Sequence, residues 1–465
     1  MKQTKPVIVV GGGWAGLTAA IELVRHNIPT VLLESAKQLG GRARRVPFEN
    51  NVFNDNNDDN NDNNNTERSQ KQQSTFPIDN GQHLLIGAYE STLSILRTIG
   101  VREDTILKRE KLSLNIKRQQ QRDVKITAGR FPAPLHIAWG LLFARGLSVT
   151  DRIKALTFCA AMSKIDFTIE KDESCLSLFN RYQQTNSVIK CLWEPLCLAA
   201  LNTQIQVASA CIFLRMLREV FTHTRTDSDF LYTCTDLGTT FPEPAMDYIE
   251  KNGGNIRLGQ RVVELDIKNL RVQGVKLNET TIECEQVVLA TPYNITQKLA
   301  APYTELQPLH DQLNELDHQP ICTVYLQYPS DTRLKTDMIG LEGTTAQWIF
   351  DRFIYGQPGL MAVVISSSGD HMSLDNHSLC TLVEKEIQDL FPQWPSAQKR
   401  MVIREKRATF HSTINCNQFR PGNKTAVKGL WIAGDYTNTG LPATLESAVR
   451  SGSRCAHTLV KSLQQ

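Results

Sequence analysis

Val9-Val10-Gly11-Gly12-Gly13-Trp14-Ala15-Gly16, close to the start of the chain, is the stretch from which the fold is read. After an apolar strand, Gly11 permits a tight turn, Gly13 lets a phosphate approach the backbone, and Gly16 lets the following helix pack against the strand. The first turn of that helix, Trp14 and Ala15 included, offers free N–H groups and roughly half a positive charge to a pyrophosphate. Around this loop the pattern predicts a strand over 6–10, an amphipathic helix over 15–26 and a second strand over 30–33 ending in Glu34, a βαβ unit. Glu34 lies about twenty residues beyond the glycines, where a carboxylate accepts both ribose hydroxyls of an adenosine and repels a 2′-phosphate. The alternative is a solvated surface carboxylate.

A loop of this kind announces only some dinucleotide. The far end of the chain narrows the choice: Gly434-Asp435-Tyr436-Thr437 runs into Gly440-Leu441-Pro442-Ala443-Thr444-Leu445-Glu446. Gly434-Asp435 follows an apolar strand and brings a carboxylate and an amide to ribityl and pyrophosphate groups. Pro442 suits a first helical turn, and Thr444 and Leu445 open a helix whose positive end would face the flavin pyrimidine. A cofactor gripped by both ends of a chain this long is expected to be FAD. Gly40-Gly41-Arg42 adds close backbone approach at Gly41 and a cation at Arg42 near the pyrophosphate, with Arg44 and Arg45 equally readable as solvated. Val262 is a plausible adenine contact, and Ala290-Thr291-Pro292 a crossover between domains.

The 465 residues are too many for one simple core, and 41% hydrophobic with 21% charged residues describes a globular protein. A net charge of +3 makes no case for nucleic acid. The eleven cysteines lack metal-like spacing, so reduced thiols in a cytoplasmic protein are expected, without disulfides or a metal site. No run approaches the roughly 20 apolar residues of a spanning helix, and the glycines after Lys2 and Lys5 argue against a signal peptide. Residues 54–65 are all Asn or Asp, read as a disordered loop within 50–75, a calcium loop being the sharper and less suitable alternative. Short strands with a basic surface are expected over 105–131, mostly helix over 132–218 with Pro195 interrupting, strands over 255–291, and strands with one helix (379–390) over 305–405.

With these motifs in place, the chain resembles the FAD-dependent amine oxidase and phytoene desaturase superfamily over nearly its whole length. Asp79-Asn80-Gly81-Gln82-His83-Leu84-Leu85-Ile86-Gly87-Ala88-Tyr89, Trp193-Glu194-Pro195-Leu196-Cys197-Leu198-Ala199-Ala200-Leu201-Asn202-Thr203 and the Gly440–Glu446 stretch look like the squalene-associated desaturase-like proteins, the hydroxysqualene dehydroxylases. The resemblance implies an α/β fold: a Rossmann-type, glutathione-reductase-like FAD domain (1–110, 235–304 and 406–465) interleaved with an α+β substrate domain (111–234 and 305–405). It also implies reductive removal of a hydroxyl from hydroxysqualene in squalene and hopanoid biosynthesis, with Gly81 and Gln82 beside the flavin. The electron donor is not identified by any motif.

Ionising an allylic alcohol needs a proton donor and a water-free site. His83, Asp79, Glu194 and tyrosines such as Tyr89 are the candidates, His83 and Glu194 being equally readable as structural. A thirty-carbon isoprenoid gains roughly 0.8 kcal/mol per buried carbon, so the enzyme is expected to meet its substrate at a bilayer, the inner face of the cytoplasmic membrane, or to receive it from a partner. The segment from Pro132 to Leu147, with Trp139, Leu142 and Phe143 beside the basic surface, is the expected docking element, or else a core helix. Rival readings are an oxidative carotenoid or phytoene-type desaturase, a less suited amine oxidase, and a non-catalytic lipid carrier of the same fold.

Overall fold

All four residues of β1 (Val7–Val10) are buried, as a strand flanked by neighbours and covered on both faces requires. The computed structural model describes residues 5–48, 76–119 and 121–464. The Asn/Asp loop and its calcium-loop alternative lie outside them. β1 pairs in parallel with β2 (Thr30–Glu34) on one side, and β3 (Asn255–Leu258) continues beyond β2. On its other side lie β4 (Val287–Leu289) and then β5 (Leu430–Ile432), giving the order β3-β2-β1-β4-β5. A single parallel sheet thus draws strands from the beginning, middle and end of the chain.

Six helices matter to the site: α1 (Trp14–Arg25), α2 (Glu90–Thr98), α3 (Leu135–Leu142), α4 (Glu194–Leu201), α5 (Ala210–Phe221) and α6 (Leu445–Leu463). α6 lies on α1, and the approach is close: a methyl at Gly452 would collide with the Ala15 carbonyl. That contact docks the last helix of the chain on the first.

A second, seven-stranded sheet has Trp348–Asp351 as its middle strand, with Leu360–Ser366 and then His318–Gln327 on one side of it. Its residues alternate by face with period two. Cys322, Val324 and Leu326 pack under the helix Asn376–Leu390, whereas Tyr325, Ala362 and Val364 join the core shared with α4 and α5.

Several local expectations are corrected. Pro195 does not interrupt the helix: residues 186–201 run on through a π-turn, Ile189–Trp193, into α4. There the Glu194 N–H donates to the Ile189 carbonyl, five residues back, and the wider turn accommodates a residue that cannot donate. Pro442 lies outside α6, which begins at Leu445 with Thr444 as its cap. The 305–405 block holds a second helix, Gln307–Asn314. Part of the basic surface is neutralised, with Lys108 paired to Asp337 and Glu110, Arg109 to Asp229, and Lys117 to Asp123.

Candidate active site

One cavity of about 890 Å³ is lined by every residue read above as a cofactor contact except Gly16. Gly16 faces the strand, where a side chain would collide with the Gly11 carbonyl. Gly11 itself has φ +109°, and a Cβ there would come within 2.6 Å of the Ala290 oxygen. Gly13 differs: nothing lies within 4 Å of where its Cβ would stand, so its surface opens onto the cavity. Gly13 caps α1 without a side-chain hydrogen bond, which leaves the first-turn N–H groups for an anion. This is the cradle that a pyrophosphate needs.

On one side of the cavity, the Glu34 carboxylate accepts from the Gly12 N–H (2.6 Å) and the Ala36 N–H (2.7 Å). It is thereby held at the end of β2, and Val262 lines the same cavity. At the other side, Arg42 donates to Asp435 (2.5 Å) and to the Ala408 carbonyl (2.7 Å). The Thr444 hydroxyl accepts from the Ser447 N–H (3.1 Å), which sets the α6 N-terminus against the cavity.

Two residues that no motif singled out fix these loops. Arg420 is buried over the Phe410 ring and donates to the carbonyls of Asp435 (3.1 Å), Tyr436 (3.2 Å) and Thr437 (2.5 Å). Burial lowers its pKa to about 10, still cationic at neutral pH. Arg352, fully buried, donates to the Gln82 side-chain oxygen (2.7 Å) and stacks over Tyr355 at 3.8 Å. Gln82 in turn donates to the Tyr355 hydroxyl (2.8 Å). The sequence signal for Arg352 is a charge among Phe350, Phe353 and Ile354; Arg420, between Gln418 and Asn423, offers none.

The residues read as proton donors are scattered. Of these, only Tyr89 and His83 reach the cavity. The His83 Nδ1 lies 2.8 Å from the Gly81 carbonyl, which can only accept, so Nδ1 carries the proton and Nε2 is bare. Burial pushes its pKa down to about 4, so the ring is neutral. Asp79 sits behind the turn, accepting from the Leu237 N–H (2.7 Å) with Arg352 at 3.6 Å. Burial raises its carboxyl to about 6 against the opposing pull of Arg352. Glu194 lines neither this cavity nor its neighbour, and burial raises its pKa too. The 193–203 motif instead contributes Ala199 and Ala200 to the cavity walls. It also contributes Asn202, left-handed at φ +50°, whose amide bonds Pro320, Thr409 and Ser367.

A second cavity of about 230 Å³ adjoins the first, and Gln82, Leu84, Tyr89, Ala199 and Ala200 belong to both. Its walls are mainly apolar, including Leu114, Phe221, Phe230, Trp348 and Phe350. Leu112, Leu114, Leu196 and Phe221 also line a small apolar gap whose far side is Ile137, Gly140 and Leu141 of α3.

The parallel sheet, the nucleotide cradle and the apolar chamber beside it define a flavin-dependent oxidoreductase with FAD as cofactor. The chain belongs to the flavin-containing amine oxidoreductase family, whose pattern matches residues 14–460. It is 24% identical over 453 residues to a hydroxysqualene dehydroxylase of Zymomonas mobilis, covering 96% of this chain and 97% of the relative. A 15-cis-phytoene desaturase of an Oncidium hybrid is 22% identical over 484 residues, 99% of this chain and 78% of the relative. Cyclohexylamine oxidase from Brevibacterium oxydans shares the fold with TM-score 0.70 at 12% identity, covering 99% of this chain and all of that one.

Proposed function

We propose that this protein reductively removes the hydroxyl of hydroxysqualene to give squalene. The observation that carries the reading is the apolar chamber joined to the flavin cavity through Leu84, Ala199 and Ala200. The chamber's two carboxylates, Glu219 and Glu446, are each paired with Arg450 rather than open to an amine, and the remaining walls suit a hydrocarbon chain. When bound, reduced FAD supplies the hydride. The protein supplies the rest: Gln82 is fixed by Arg352 and Tyr355 at the junction of the two cavities, and the apolar walls exclude the water that would recapture an allylic cation. The similarity to a hydroxysqualene dehydroxylase supports this direction of reaction, and the similarity to a phytoene desaturase supports an oxidative alternative.

The same reading places the protein on the inner face of the cytoplasmic membrane. α3 buries Ile137 and Leu141 but leaves Leu135 59% and Trp139 43% exposed, with Phe143 just beyond at 56%. Trp139 packs on Phe131 (5.1 Å) and Phe143 (4.2 Å), an aromatic cluster facing outward. Such a patch on a surface fits an interfacial anchor, and its inner face borders the gap beside the chamber. Among the described residues no helix is long and apolar enough to cross a membrane.

The test is product analysis by mass spectrometry. Dithionite-reduced protein is given hydroxysqualene, and oxidised protein is given phytoene with a quinone. Squalene from the first and no desaturated product from the second is expected, and the reverse result favours the oxidative reading.

A further inference from the structure

Among the residues that line both cavities, Tyr89 alone carries a titratable side chain. It ends the 79–89 motif and stands just ahead of α2. We propose that the Tyr89 hydroxyl is the acid that protonates the departing oxygen of the isoprenoid alcohol. This rests on the dehydroxylation reading above.

The carboxyl groups and the histidine nearest the chamber are taken up by other partners. Glu446 accepts from the Ser91 N–H (3.1 Å), the Thr92 N–H (2.9 Å), the Thr92 hydroxyl (2.8 Å) and Arg450 (3.2 Å). Its oxygens are thus taken up by the N-terminus of α2 and by Arg450. Glu219, also in the chamber wall, is paired with Arg215 (2.6 Å) and Arg450 (3.4 Å). His83 is neutral, with its one proton committed to Gly81. Asp79 and Glu194 line neither cavity.

The surroundings of Tyr89 suit the task. Burial, together with the nearby Glu446 carboxylate, keeps the phenol protonated above its usual range, and the Thr444 side chain beside it pulls the other way. A weak acid is adequate here, because the departing hydroxide becomes water, whose pKa is about 15.7. Transfer from a phenol therefore turns downhill as the C–O bond stretches. Thr444 is the cap of α6, so the resulting phenolate would face the positive end of a nineteen-residue helix.

The balance is as follows. The Oη–H bond of Tyr89 breaks, a new O–H bond forms on the substrate oxygen, the C–O bond breaks and water departs. The allylic carbon takes the hydride that reduced FAD supplies, so substrate is reduced and flavin oxidised. Tyr89 then regains a proton from solvent.

The experiment compares wild-type and Tyr89→Phe holoprotein, both reduced anaerobically and mixed with hydroxysqualene for a single turnover. Squalene formation should slow by about 10²- to 10⁴-fold in the variant. Its FAD content, flavin spectrum and reoxidation by ferricyanide should match wild type. Hydroxysqualene and squalene are also titrated against the oxidised proteins by tryptophan fluorescence, and the variant should lose preference for the alcohol. Should the phenylalanine protein lose FAD, replacement of Tyr89 by 3,5-difluorotyrosine gives the answer, moving the alkaline loss of rate to lower pH than in wild type. Undiminished turnover in Tyr89→Phe, or an unshifted pH profile with difluorotyrosine, overturns the assignment. A wild type that makes no squalene instead overturns the dehydroxylation reading beneath it.

Discussion

Arg42 and Asp435 stand 393 positions apart in the chain and meet in a 2.5 Å ion pair at the wall of the flavin cavity. Asp435 is nearly buried and Arg42 is one-third exposed, with side-chain exposures of 8% and 33%. The pair closes the cofactor site by joining the Gly40–Arg42 loop to the loop before α6. Asp435→Ala should therefore destabilise the protein by about 2 kcal/mol, less than a fully buried pair would cost because water reaches the arginine. Urea unfolding measures this, and a midpoint equal to wild type would contradict it.

Gly13 and Gly11 should behave differently. A side chain at Gly13 meets nothing in the protein but occupies the space offered to the pyrophosphate. Gly13→Val is expected to leave the apoprotein within about 0.5 kcal/mol of wild type while weakening FAD at least tenfold in a fluorescence titration. Gly11→Ala combines φ +109° with a clash on Ala290, so it should lower apoprotein stability as well. Equal stability of the two variants would show that the turn is not strained as described.

His83 and Asp79 push the pH dependence of stability in opposite directions. Folding lowers the His83 pKa from 6.5 to about 4, so the unfolded chain binds a proton in that window that the folded one refuses. Its effect is a loss of stability on acidification. Folding raises the Asp79 pKa from 3.8 to about 6, so the folded chain keeps a proton there that the unfolded one has released. That contribution is present at low pH and lost as pH rises through 6. Asp79→Asn should leave the histidine effect unopposed, and its urea midpoint should fall more steeply than wild type between about pH 6.5 and 4.5. An identical slope would refute the opposition.

The outward face of α3 offers a test free of folding effects, because Trp139, Leu142 and Phe143 are all substantially exposed. Replacing the three with Ser or Asp should reduce binding to anionic vesicles by more than tenfold, each side chain contributing about 2 kcal/mol when buried. Co-sedimentation of the variant at wild-type levels would exclude this face as the anchor.

Much of this architecture was legible because the flavin motifs are local. Gly11, Gly13 and Glu34 belong to one βαβ unit, and Gly434 and Asp435 follow one apolar strand, so spacing alone proposed their meeting. Arg352 and Arg420 were not legible, since each acts on loops distant in sequence or on backbone carbonyls that carry no signature. Pro195 and Pro442 were misread for a related reason: proline reports what a local turn cannot do, whereas the π-turn and the Thr444 cap depend on the surrounding backbone. α3 was read as either core or anchor; it buries Ile137 and Leu141 and leaves Leu135, Trp139 and Leu142 exposed, a division that no local pattern announces.

The order in which the sheet is assembled limits when the cofactor site can form. β5, Asp435 and the start of α6 are made long after β1 and β2, yet they form one wall of the flavin cavity. Until they emerge, a nascent chain carries an unfinished sheet edge beside β4 and offers a flavin only half of its cavity. A break in the chain ahead of β5 would strand the molecule in that half-built state.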